Sequence, residues 1–247
     1  MIFCSMTAYG LTAYGQKAPA DWELETMPRD LEMDFALSAL PPHLRAGATV
    51  YTLNPKKGYE VARKGSNGFI CFVSRTEWEW ADFRKDHAAA ISYDAEGSAS
   101  ILPVYLEVAR LRATGKYTAA EIKNIILDGF KRGSHKAPSR SGVSYMLGPV
   151  MRTYPTPDLH DKNVVSMHMP HYMFYAPDVK DADIGGQLFL HQPFIFNPGG
   201  GPHGYMIMLA GEREREKILA DHKDLLKRLV EYRAYFRVKH GMNERKN

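Results

Sequence analysis

Three histidines have the spacing of a reactive or metal-binding site. His168 and His171 flank Pro170 in "SMHMPHYMFYAP" (166–177), and His203 follows a glycine run in "GGGPHGYMIML" (199–209). Two imidazoles at short local spacing plus a distant third is a pattern that zinc sites use. Imidazole also moves protons near neutral pH. The spacing therefore points to His171 and His203 as catalytic groups, and to His168, His171 and His203 as ligands of a divalent transition metal. Asp178, Asp181 and Asp183 in "DVKDAD" could supply further oxygens. Zinc, iron and manganese are not separated by such a set.

Geometry limits this reading. Pro170 keeps the pair out of a helix interior. On a strand, residues three apart point to opposite faces. Convergence needs a bend at Met169-Pro170, with His168 in the preceding loop. Two histidines at the starts of neighbouring strands could then meet across a sheet. The same pattern also fits hydrogen-bonded structural histidines in a β-rich core.

Other segments offer less. "NPGGGPHG" (197–204) lacks the Lys-Ser/Thr and the helix of a phosphate loop. "SHKAPSRSG" (134–142) has serines beside a histidine but no nucleophile elbow, and reads as a solvated basic loop. Asp94 and Glu96 in "YDAEGS" could share acid–base work only if burial separates them, and surface acid pairs beside glycine are common. Tyr145, Tyr172, Phe174 and Tyr205, with nearby methionines, could line an adaptable apolar ligand pocket, or be core.

The elements that must hold these residues follow from periodicity. Residues 29–40 carry helical apolar spacing and stop at Pro41-Pro42. "GATVYTL", "GYEVARK" and "NGFICFVSR" read as three strands of an antiparallel meander. Residues 76–92, with Trp78, Trp80, Phe83 and His87, fit either a helix or an irregular excursion, and 93–100 reads as a loop. Residues 102–115 and 117–133 form a helical pair, the second opening with a Thr118/Glu121 capping box. A second strand group follows from 143, then a long amphipathic helix from about Glu212 to about Phe236 with His222 on its apolar stripe. This order predicts an α+β fold: antiparallel strand groups, a central helical pair and a long C-terminal amphipathic helix. Residues 1–26 read as a flexible leader or remnant export segment, and 27–247 as one domain.

Composition bounds the function. At 45% hydrophobic and 24% charged residues, the 247-residue chain can bury a core without staples. No run is long and apolar enough for a membrane span. The net charge of +4 resides in residues 211–247, where eleven Lys/Arg meet seven Asp/Glu. Interleaved as in "EREREK", it reads as a solvated helix face, and no nucleic-acid partner is expected. Cys4 and Cys71 make no disulfide framework, and Cys71 in "GFICFV" reads as a packing thiol.

The segments "ALSALPPHLRAGATVYTL", "GYEVARKGSNGFICFV", "YDAEGS", "PHYMFYAP" and "GPHGYMIM" resemble a group of uncharacterised bacterial proteins. Members of that group often begin with an export signal, so the resemblance implies periplasmic or extracellular placement, with the cytoplasm as the alternative. It implies no activity or cofactor. The residues themselves point to an enzyme of hydrolysis or proton transfer on a small molecule, with a histidine-containing site. A non-catalytic ligand-binding protein is the alternative, and a protein whose C-terminal helix docks a partner is a third.

Overall fold

The computed structural model describes residues 23–154, 164–186, 192–196 and 200–238. Helix α1 (Arg29–Ser38) buries Leu31, Phe35 and Ala36 on one stripe and is followed by the short α2 (Pro42–Arg45). Strands β1 (Thr49–Asn54) and β2 (Gly58–Arg63) pair antiparallel as the sequence predicts. Strand β3 (Ile70–Ser74) departs from the expected meander: it runs parallel to β1 and lies on the side away from β2. The chain crosses the start of β1 to get there. Ser66 and Asn67 donate their backbone N–H groups to the Gly47 carbonyl, and Arg63 reaches the Arg45 and Ala48 carbonyls. Only glycine fits this crossing, because a Cβ on Gly65 would sit 2.2 Å from the Gly47 oxygen.

The excursion after β3 contains a 3-10 turn (Trp78–Trp80) and returns as β4 (Ala88–Tyr93), a strand buried along its whole length. Fully buried "AAAISY" has no alternation, which is why the pattern hid it. Asp94 caps α3 (Ala95–Ser100), so most of 93–100 is helical where a loop was expected. The expected pair follows as α4 (Leu102–Ala113) and α5 (Ala119–Lys131), with both halves of the Thr118/Glu121 capping box made.

Strand β5 (Val143–Met146) opens a four-stranded antiparallel sheet. Two short strands, β6 (Met151–Thr153) and β7 (Val165–Met167), instead extend the first sheet. Then come β8 (His171–Tyr175), α6 (Asp181–Ile184), β9 (Phe194–Phe196) and β10 (Tyr205–Leu209). The sheet orders are β2-β1-β3-β4-β6-β7 and β5-β8-β10-β9. The sheets are sewn together by hydroxyls. Ser144 Oγ donates to the Ser92 carbonyl at 2.5 Å, and Ser92 Oγ donates to the Tyr145 carbonyl at 3.1 Å.

The expected C-terminal helix is present as two, α7 (Glu212–Asp221) and α8 (Lys223–Tyr232), with a 3-10 turn (Ala234–Phe236) after them. The break is His222, at φ −112° and ψ 21°, whose Nε2 meets the Arg45 guanidinium at 3.0 Å. Leu225, Leu229 and Phe236 pack with α1 in one core cluster. Phe35 and Phe236 meet edge to face at 5.7 Å.

Strand alternation divides the first sheet into two faces. Val50, Cys71, Val73, Ala88 and Ala90 face α1 and α8. Phe72, Ile91 and Tyr93 face α3–α5 and the second sheet. Cys71 is a fully buried packing thiol. No helix among the described residues is long and apolar enough to cross a membrane.

Candidate functional site

The three histidines chosen from sequence do not converge. His171 opens β8, where its ladder partners are Met146 and Leu209. His203 precedes β10, whose first residue, Tyr205, pairs with Tyr175. The strands are antiparallel, so His171 and His203 lie at opposite ends of the ladder, on the order of 15–20 Å apart at the strand rise. Each ring is held by a carbonyl: His168 Nδ1 by Pro149 at 2.6 Å, His171 Nδ1 by Met169 at 2.8 Å, and His203 Nε2 by Lys136 at 3.3 Å. Burial pushes His171 and His203 down to about 4, so both are neutral near pH 7.

Two of the carboxylates from 178–183 have other duties. Asp181 accepts from the Ile195 N–H and Asp183 from the Lys180 N–H. No three His, Cys, Asp or Glu side chains among the described residues are grouped to hold a metal. The expected metal centre at 168, 171 and 203 therefore does not fit the donors present.

The four aromatics split as well. Tyr145 and Tyr172 pair across β5 and β8 with rings 5.9 Å apart, Tyr172 reaches Glu214 of α7, and Phe174 shares their face by alternation. Tyr205 points the other way, into the core, where its hydroxyl meets that of Tyr93 at 3.1 Å. One pocket lined by all four does not form.

Asp94 and Glu96 are structural. Asp94 accepts from the Gly97 and Val143 N–H groups and the Tyr175 hydroxyl. Glu96 accepts from Ser139 and Arg140 and so ties down the 134–142 loop.

The structure instead assembles titratable groups around the 75–87 excursion. Arg75 donates to the carbonyls of Lys85 and His87, and Arg112 of α4 donates to those of Arg75 and Phe83. These two guanidiniums strap the excursion to the sheet. Glu77 and Asp82 bridge across its neck, and Ala81 takes a left-handed φ of 53° to close the turn.

Inside the strap, Glu77 Oε1 lies 3.3 Å from His87 Nε2 and accepts from the Thr153 hydroxyl at 2.7 Å. The Glu77 side chain is 15% exposed. Burial, reinforced by the Glu79 charge, raises its carboxyl to about 8. Burial, followed by the charges of Arg75 and Arg112, lowers His87 to about 3. Near neutral pH the pair is thus a protonated carboxyl on a neutral imidazole, not an ion pair. Glu79, in the same turn, is raised by burial to about 7. Buried Glu79 Oε2, His87 Nδ1 and Trp78 Nε1 find no hydrogen-bond partner among the described residues. Such atoms are costly unless something else meets them.

An aromatic cluster is centred on Trp80, the last residue of the 3-10 turn. Trp80 packs at 4.9 Å on Tyr154, the neighbour of Thr153, and at 5.5 Å on Phe196. All three rings are partly exposed. Sequence reasoning missed this site. Its only local signal was "TEWEW", acids alternating with tryptophans.

No protein-family model, curated protein or solved structure matches the chain, so the reading rests on this geometry.

Proposed function

We propose that the chain is a small-molecule enzyme of the hydrolytic or proton-transfer type, acting at Glu77, Glu79 and His87. The observation that carries the reading is the largely buried Glu77 carboxyl, 3.3 Å from the His87 imidazole and hydrogen-bonded by the Thr153 hydroxyl. Glu77 is the proton donor: at about 8 its carboxyl keeps its proton at neutral pH. Glu79, raised by burial to about 7, is a second carboxyl that exchanges its proton near neutral pH. His87, through Nε2, orients the Glu77 carboxyl. Trp80, Tyr154 and Phe196 offer flat apolar surface to a ring-bearing substrate.

The test is a turnover screen with chromogenic esters, glycosides and amides. Any activity found should fall about a hundredfold or more in Glu77→Gln, the range expected for loss of a general acid, and decline in wild type above about pH 8. Equal turnover by wild type, Glu77→Gln and His87→Asn would refute the assignment.

A further inference from the structure

The acids assigned above are enclosed. Glu79 Oε2 is fully buried, and the Glu77 side chain is 15% exposed. No substrate reaches the Glu79 atom while the chain between β3 and β4 stays in place. We propose that residues 76–86 form a lid over Glu77 and Glu79, which lifts as these carboxyls lose their protons and closes as they regain them. Its consequence for substrate access rests on the acid assignment; the lifting itself does not.

The way the segment is held fits a lid. Between Ser74 and Ala88, the one strand-type bridge among the described residues joins Glu77 to Asp82, within the segment itself. Side chains clasp it to the body. Arg75, at the hinge, donates to the Lys85 and His87 carbonyls, and Arg112 of α4 to the Phe83 carbonyl. Thr153 and Arg152 of β6 donate to Glu77 and Asp86. Trp78 and Phe83, 3% and 2% exposed, anchor the segment in the core and make the closed form the resting one. Closure also carries a cost. Trp78 Nε1, Glu79 Oε2 and His87 Nδ1 are buried with no hydrogen-bond partner among the described residues, and lifting lets water reach them.

The groups around the acids set the direction. Glu77 faces His87 and Thr153, and Glu79 and Asp82 of the lid itself oppose its ionisation. Glu79 faces Tyr105 of α4, Tyr205 of β10 and Lys123 of α5; Lys123 favours its ionisation, but burial outweighs it. Arg75, Arg112, Asp86 and Arg152 surround His87, which stays neutral at the hinge. Burial thus holds Glu77 at about 8 and Glu79 at about 7, against 4.5 in water. The closed lid keeps protons that the open lid releases. Closure from these groups is complete below about pH 4.5 and weakens as pH rises toward 8. Glu79 alone raises the open fraction about tenfold between pH 6 and pH 8.5.

Hydrogen–deuterium exchange of the full chain at pH 6 and pH 8.5, read by mass spectrometry as protection factors, tests this. Strand β4, buried along its length, reports global unfolding. At pH 8.5, protection of 76–86 should be at least about tenfold below that of β4, and about tenfold or more below its own value at pH 6. Glu77→Gln/Glu79→Gln, whose amides do not titrate, should show the same protection of 76–86 at both pH values. A pH-dependent loss confined to 76–86 supports the lid even where no turnover is found. Equal protection of 76–86 and β4 in wild type at both pH values overturns it even where Glu77→Gln abolishes turnover, and this comparison needs no variant. The same loss in the folded double variant overturns it as well.

Discussion

Replacing Glu77 with glutamine should stabilise the protein at alkaline pH and leave it nearly unchanged in acid. Glutamine has the shape and neutrality of the protonated carboxyl and can still accept from Thr153. An ordinary glutamate titrates near 4.5, and in the fold this one titrates at about 8. Between those values the folded state holds a proton that the unfolded chain has released. Stability from this group is therefore complete below about pH 4.5 and is lost as pH rises toward 8. At about 1.4 kcal/mol per pH unit the full window is worth on the order of 5 kcal/mol. Solvent reaching the 15% exposed side chain, and its coupling to Glu79, reduce the expected effect to roughly 3 kcal/mol. His87 does not cancel it: with its affinity lowered from 6.5 to about 3, it contributes only in acid, where stability falls as pH drops. Urea unfolding of wild type and variant at pH 5, 6.5 and 8 measures the difference directly. The variant should match wild type at pH 5 within about 1 kcal/mol and exceed it at pH 8. A difference that stays constant across this range, or a variant weaker at pH 8, would mean that Glu77 is an ordinary ionised carboxylate and that the acid role has no basis.

Two further outcomes follow from packing. His171→Ala should lose roughly 2–3 kcal/mol in chemical denaturation, because it empties a 2% exposed site and strands the Met169 carbonyl, while any activity per folded molecule is unchanged. Loss of activity without loss of stability would restore His171 as a functional group. Gly65→Ala should cost roughly 2–4 kcal/mol by driving a methyl into the Gly47 carbonyl, whereas Gly133→Ala, with nothing within reach of its Cβ, should cost only about 1 kcal/mol for its left-handed backbone. Equal costs would mean that the β1 crossing relaxes freely.

Much of the architecture was legible because local rules decided it. The Thr118/Glu121 box, the stripe of α1 and the turn at 54–58 are each set by neighbours within a few residues. Two features escaped where distant parts of the chain decide. Parallel pairing of β3 with β1 depends on how closely two backbones pass at Gly65 and Gly47, and residue patterning carries no record of that. Strand β4 is covered on both faces, so its residues have no polar side to alternate.

The site was hidden for a related reason. Histidines drew attention because imidazole is reactive in water, yet burial holds His171 and His203 neutral near pH 7. The same burial acts the opposite way on a carboxyl. Glu77 and Glu79 look like ordinary surface acids in "TEWEW", and become proton carriers near neutrality only because residues far along the chain enclose them: Thr153, 76 positions later, and Arg112, which straps the loop. Strand parity then sorts the neighbourhood. Thr153 turns toward the acid, while Arg152, one residue earlier, turns toward Asp86. A one-residue slip of β6 against β4 would exchange the two, placing a guanidinium beside Glu77 and ionising it. The register Ala88–Arg152 is thus the structural fact on which the protonation state of Glu77 depends.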